Sequence, residues 1–182
     1  QIDVLKGPAG TDNGRSAPTG SVNLASKKAG FTNGASATAT VGSASQKRVT
    51  ADLNTVLDER RGVAFRINAI GQDSGVPGRD VVHNKRWAVA PTLAFGLNSH
   101  TRLHLDYLHV KQDNVPDGGV MTIGLPGYTS PDPTRPYFTD AAPVDPNNFY
   151  GSNQDYDKVK ADMATVRLEH EFSHHLKLNN TA

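Results

Sequence analysis

The sequence predicts an all-β antiparallel fold, and three observations predict it. From residue 35 onward, apolar and polar residues alternate with a period of two through successive segments. Those segments are bounded by short clusters rich in Gly, Asn, Asp and Ser, the punctuation of strands. No run approaches the ~18 consecutive apolar residues of a membrane-crossing helix. Taken alone, this alternation fits a soluble β-sandwich or barrel as well as a transmembrane barrel.

The elements follow in order. In Gln1–Lys28, Ile2 and Val4 alternate with Asp3, and Val22 and Leu24 alternate with Ser21 and Asn23. These read as two short strands, each with one buried face. Gly7, Pro8, Gly10, Gly14, Pro18 and Gly20 lie between them and permit tight turns. Residues 29–34 make a connector. Residues 35–43 place Ala35, Ala37, Ala39 and Val41 on one face, and residues 48–58 place Val49, Ala51, Leu53 and Leu57 there, with a turn near Ser45–Lys47. After a charged turn at Glu59–Gly62, residues 63–72 oppose Val63, Phe65 and Ile67 to Arg66 and Asn68. A loop is expected at Asp73–Lys85, then a strand over 86–97 with Trp87, Val89, Leu93 and Phe95 on one face. Pro91 cannot donate to a central ladder, so a bulge is expected there. After the turn Asn98–His100, residues 101–111 oppose Leu103, Leu105 and Tyr107 to Arg102, His104 and Asp106.

Residues 111–160 differ: they hold 7 of the 11 prolines and 6 of the 12 aromatic residues, in a connection long enough to be functional. Alternation returns at 161–172, and a further strand begins after the turn Ser173–His175. Short turns at one end and longer connections at the other are the pattern of an outer-membrane barrel. Strands of roughly 10–12 residues match the roughly 9–11 that cross a bilayer at a tilt. Asp52, Arg66 and Asp106 put charge in mid-strand, as a watery or plugged lumen permits. Trp87 and Phe172 stand near strand ends, where aromatic girdles belong.

Composition excludes several function classes. With no cysteine among 182 residues there is no disulfide framework, thiolate metal site or cysteine nucleophile. A net charge of +1 gives no general attraction to nucleic acid. Gly7–Gly10 lacks the Lys-Ser/Thr of a phosphate loop, and no Gly-x-Ser-x-Gly elbow occurs. His170 and His174 would form a metal pair only on a helix, and they lie on a strand and a turn. His104 and Asp106 share a strand face, and a hydrogen-bonded pair in the lumen is expected of them; a hydrolase using both is the enzyme alternative.

The segments IDVLKGP and SVNLASK, joined by GTDNGRSAPTG, resemble the end of the plug domain of TonB-dependent outer-membrane siderophore receptors. VAPTLAFGL, YLHV, TIGLPGY and NFYGSNQDYD resemble the catecholate branch of that family. The resemblance implies the C-terminal part of a plug over residues 1–33. It implies the first six or seven strands of a partial transmembrane antiparallel β-barrel over 34–182, with 111–160 as a long extracellular loop. It implies TonB-dependent import of a ferric catecholate siderophore across the bacterial outer membrane, with no catalytic residue and no cofactor, the iron travelling as cargo. The implied partners are the ferric siderophore, outer-membrane lipid and the TonB energy-coupling complex, whose contact segment would precede Gln1. The alternative is a soluble β-sandwich ligand-binding module.

Within that reading, Arg15 offers bidentate hydrogen bonds to an anionic ferric complex from the plug apex, and Asn13 a neutral polar contact. Tyr128, Phe149 and Tyr150, with Tyr137, Phe138 and Tyr156, supply flat surfaces for catechol rings. Segment 111–160 carries 4 basic and 7 acidic residues and would repel an anion. Attraction is therefore expected from Arg79 and Arg86, with Lys47, Arg48 and Lys85, at the same end.

Overall fold

The computed structural model describes residues 2–7, 19–24, 26–119, 129–130, 133–134, 145, 147–152 and 154–182. Among them, regular structure is entirely β. Strand β1 (Ile2–Lys6) pairs antiparallel with β2 (Gly20–Leu24), from Ile2↔Leu24 to Lys6↔Gly20, as a separate two-stranded sheet. The expected buried face does not form here: Val4 and Val22, opposite each other, are 59% and 67% exposed. Two strands cannot cover their own face, and among the described residues no further layer packs on them.

The second sheet is a seven-stranded meander in chain order. Its strands are β3 (Gly34–Gly42), β4 (Gln46–Asp58), β5 (Val63–Val76), β6 (Arg79–Phe95), β7 (Thr101–Val115), β8 (Asp157–Ser173) and β9 (Leu176–Thr181). Each pairs antiparallel with the next. Residues opposite one another share a face, so register sorts the side chains. Phe65, Leu93, Leu105 and Val166 form one transverse row. Asn54, Arg66, Thr92, Asp106 and Thr165 form a row on the other face. One face is thus apolar and the other polar, with no second sheet against either among the described residues.

Two expectations are corrected. Asp73–Lys85 is not a loop. β5 and β6 continue through Asp73↔Lys85, Ser74↔Asn84 and Gly75↔His83 and turn at Pro77-Gly78, with a register shift beyond Gly75. The alternation fades in these residues because Val76, Val81 and Val82 stand out of step among polar ones, yet the ladder persists: Gly75 N–H donates to the Ala44 carbonyl at 2.8 Å, and His83 Nε2 lies 3.1 Å from Asp73. Nor does Pro91 cause a bulge. It pairs in register with Ile67 of β5, and the β6–β7 ladder omits Ala90 and Pro91 without changing register. The missing N–H interrupts one ladder and shifts nothing.

The short turns are laced together. Leu97 N–H donates to the Gly62 carbonyl at 3.1 Å, Asn98 Nδ2 to the Glu59 and Arg60 carbonyls at 3.1 and 3.0 Å, and Glu171 N–H to the His100 carbonyl at 2.8 Å. The connection 116–156 leaves from the opposite end.

Candidate functional site

The polar face carries a docked segment. The connector Ser26–Asn33, between β2 and β3, is tied to the sheet by side chains of β4 and β5. Arg66 forks onto Asp52, with Nε to Oδ1 at 2.8 Å and Nη2 to Oδ2 at 2.7 Å, and its Nη1 donates to the Lys28 carbonyl at 3.0 Å. Lys27 Nζ reaches the same carboxylate at 2.7 Å. A planar guanidinium matches a carboxylate in two parallel bonds, so the pair fixes orientation as well as charge. Asn54, 7% exposed, donates to the Gly30 and Thr32 carbonyls and accepts from Gly30 N–H. Asn33 Oδ1 accepts from Val56 N–H at 2.7 Å. Beneath them Ala29 is buried against Ala64 and Ala94. Farther across the sheet Arg102 bridges Glu169 and Glu171, and Lys28 lies 3.9 Å from Glu169.

Sequence patterning marked Asp52 and Arg66 as mid-strand charges but did not pair them. They belong to diagonal positions, since Asp52 opposes Asn68 and Asn54 opposes Arg66. Asn54, Asn33 and Lys27 gave no signal. The charges did show that this face is wet.

At the other end, Arg79 donates to Asp117 through Nε at 3.0 Å and Nη2 at 2.6 Å, and to the Gly119 carbonyl. Those bonds, helped by Gly119 N–H, hold the Asp117 carboxyl below the usual aspartate value. Arg86, on the polar face, is held by the neutral Gln72 Oε1 at 2.9 and 3.2 Å. Tyr150 is 42% exposed, its hydroxyl donating to the Asp145 carbonyl at 3.2 Å. The Phe149 ring lies over Gly151, and Asp80 N–H donates to the Asn147 carbonyl at 2.8 Å. The structure thus gathers Arg79, Phe149 and Tyr150 where 116–156 meets the β5–β6 hairpin. Asn13, Arg15, Tyr128, Tyr137 and Phe138 lie outside the described residues.

The histidine expectation is corrected. His104 and Asp106 share the polar face but do not bond: His104 Nδ1 and Asp106 Oδ1 are buried without partners. They are successive same-face residues along one strand, opposite Arg167 and Thr165 respectively. His170 Nδ1 lies 2.7 Å from Thr101 Oγ1 and its ring meets Phe172 edge-on. Among the described residues no three His, Cys, Asp or Glu side chains are grouped to hold a metal.

No family model matches the chain. It is 47% identical over 181 residues to the catecholate siderophore receptor Fiu of Escherichia coli K12, covering 100% of this chain and 24% of the relative. It is 36% identical over 186 residues to the probable TonB-dependent receptor BfrD of Bordetella pertussis, covering 23% of that protein. The crystal structure of the ferric-catecholate import receptor Fiu from E. coli K12, open form, superposes with a TM-score of 0.90 over 99% of this chain and 27% of that one. The siderophore receptor PiuA of Acinetobacter baumannii superposes with a TM-score of 0.82 at 26% identity, covering 99% of this chain and 25% of that one. The chain spans about a quarter of the length of the curated relatives it matches. On this identity, register and face pattern, the chain belongs to the TonB-dependent siderophore receptors of the Gram-negative outer membrane.

Proposed function

We propose that the chain forms the plug-to-barrel junction and the first seven barrel strands of a receptor that binds a ferric catecholate siderophore and imports it in a TonB-dependent manner. The observation that carries this reading is the 47% identity with a catecholate receptor across the whole chain. Residues 1–33 are then the end of the plug and 34–182 the start of the barrel. The separate β1–β2 sheet and the tethered connector support that division. The polar face, holding the connector, is the lumen; the apolar face meets lipid. Asn13 and Arg15 from the plug, and Arg79, Arg86, Tyr128, Phe149 and Tyr150 from the outer end, serve the ligand. Of Arg79 and Arg86, Arg86 is the better placed, because its hydrogen bonds go to a neutral amide and its charge stays available to an anion, whereas Arg79 forks onto Asp117. Transport makes and breaks no covalent bond in the cargo, and iron arrives within it.

The test is uptake of radiolabelled iron by an iron-starved strain lacking catecholate receptors, complemented with the full receptor and fed single siderophores. Ferric catecholates should enter in cells with TonB and fail in cells without it. Entry of a hydroxamate complex alone, or entry independent of TonB, would overturn the reading.

A further inference from the structure

The connector crosses the polar face toward β3. Lys27 and Lys28 border a cleft with Thr92 of β6 and Arg167 of β8, whereas Phe31 borders a second cleft with Gly34 and Ser36 of β3. The backbone on both sides of Phe31 is fixed. Asn54 Nδ2 donates to the Gly30 and Thr32 carbonyls, each at 2.8 Å, and Gly30 N–H donates to Asn54 Oδ1 at 3.1 Å. From this held backbone the Phe31 ring is presented 43% exposed. Its cleft measures about 470 Å³ and is also lined by Asp52 and Arg66. Those charges are committed within the protein: Arg66 donates to Asp52 through Nε and Nη2 and to the Lys28 carbonyl through Nη1. The β3 side of the cleft is open, since a Cβ at Gly34 would meet no atom within 4 Å. β3 is the end strand of its sheet, and among the described residues its other edge pairs with nothing.

We propose that the Phe31 ring packs against the lumen side of the strand that closes the barrel onto β3, stapling the connector across the seam. This rests on the outer-membrane reading. In a bilayer no water satisfies the N–H and C=O groups of a free strand edge, so a further strand of the receptor must pair with β3. Every pairing in the wall is antiparallel, and the next strand lies about 4.8 Å beyond β3. Gly34 and Ser36 share the lumen face with Asn54 and Asp52 opposite them. The closing strand's residues in those rows therefore face the open side of the same cleft, where they and the ring leave water together. Plug residues are the weaker candidate, because the chain arrives at Lys27, over β6 and β8, on the far side of the connector from Phe31. A catechol ring of the cargo is weaker too, because each nitrogen of the Arg66 guanidinium beside Phe31 is already bonded.

The test uses the full receptor in outer membranes. Phe31→p-benzoylphenylalanine is introduced, the membranes are irradiated, and the cross-linked peptides are mapped by mass spectrometry. The adduct should fall on lumen-facing residues of the strand paired with β3, in equal yield with and without a ferric catecholate. Phe31→Ala should lower the unfolding midpoint of the purified receptor in detergent, and Phe31→Leu should recover most of the loss. Cross-links confined to the plug, capture of the added ferric complex, or no adduct at all would each overturn the proposal. So would an unfolding midpoint for Phe31→Ala equal to that of wild type. Iron uptake by the wild-type receptor reports on the receptor reading separately. Uptake of ferric catecholate with an adduct elsewhere removes the staple and leaves the receptor, whereas no uptake by wild type removes the receptor reading itself.

Discussion

Asn54 is the most committed side chain on the inner wall: buried, it closes three hydrogen bonds to the connector. Asn54→Leu keeps the volume and strands Gly30 N–H and two carbonyls. It should cost about 2 kcal/mol, as unsatisfied buried groups do. Unfolding in detergent measures the loss, and faster amide exchange at Gly30 locates it. Glycines make a sharper contrast. Gly62 has φ 65°, and a Cβ there would meet Asn98 Oδ1 at 2.5 Å and Leu97 N at 2.6 Å. Gly71 has open space around the same atom. Gly62→Ala should therefore lower stability by more than about 1 kcal/mol, while Gly71→Ala leaves the unfolding midpoint in place or raises it.

Among the elements, the β5–β6 hairpin governs the outer end. It rises past the apolar band, takes Ala44 of the β3–β4 turn on Gly75, and receives the long connection at Arg79 and Asp80. The Arg79–Asp117 tie has a defined pH dependence. The Asp117 carboxyl is depressed in the folded state, so the tie contributes in full above the ordinary aspartate value of 3.8 and is lost as pH falls through the lower folded value. Asp117→Asn at neutral pH should reproduce the acid state, with faster exchange at Gly119 N–H and faster proteolysis beside it. Global stability should scarcely move, because the pair sits at the surface. If exchange at Gly119 were identical in the variant, the tie does not hold this segment.

At the scale of the molecule, the seven-stranded sheet is a wall. The accessible surface of the whole chain, 12919 Å², compares with roughly 8500 Å² for a compact chain of this mass. Leu53, Trp87, Val166 and Phe172 stand exposed on the apolar face. Lipid must cover that face, and further strands must cover its edges. The 182-residue chain on its own should therefore aggregate in water and show β circular dichroism only in detergent. A soluble monomer would contradict the membrane assignment of the apolar face.

Period-two alternation with punctuated turns by itself determined that the chain is all-β, because a strand's faces are written directly in its order of residues, while the meander order of its seven-stranded sheet came from the structure. Alanines 35, 37 and 39, and Leu103 and Leu105, left no choice of register face. The glycine-rich opening and its neighbours carried the family resemblance. Only the tertiary structure decided where strands end in the polar zone, since Asp73–Lys85 alternates nothing with nothing and is held by Gly75 and His83 contacts. It alone joined Lys27, Asp52 and Arg66, and left His104 and Asp106 apart. Those outcomes depend on diagonal neighbours across strands, which inter-strand register sets and no single segment of sequence contains.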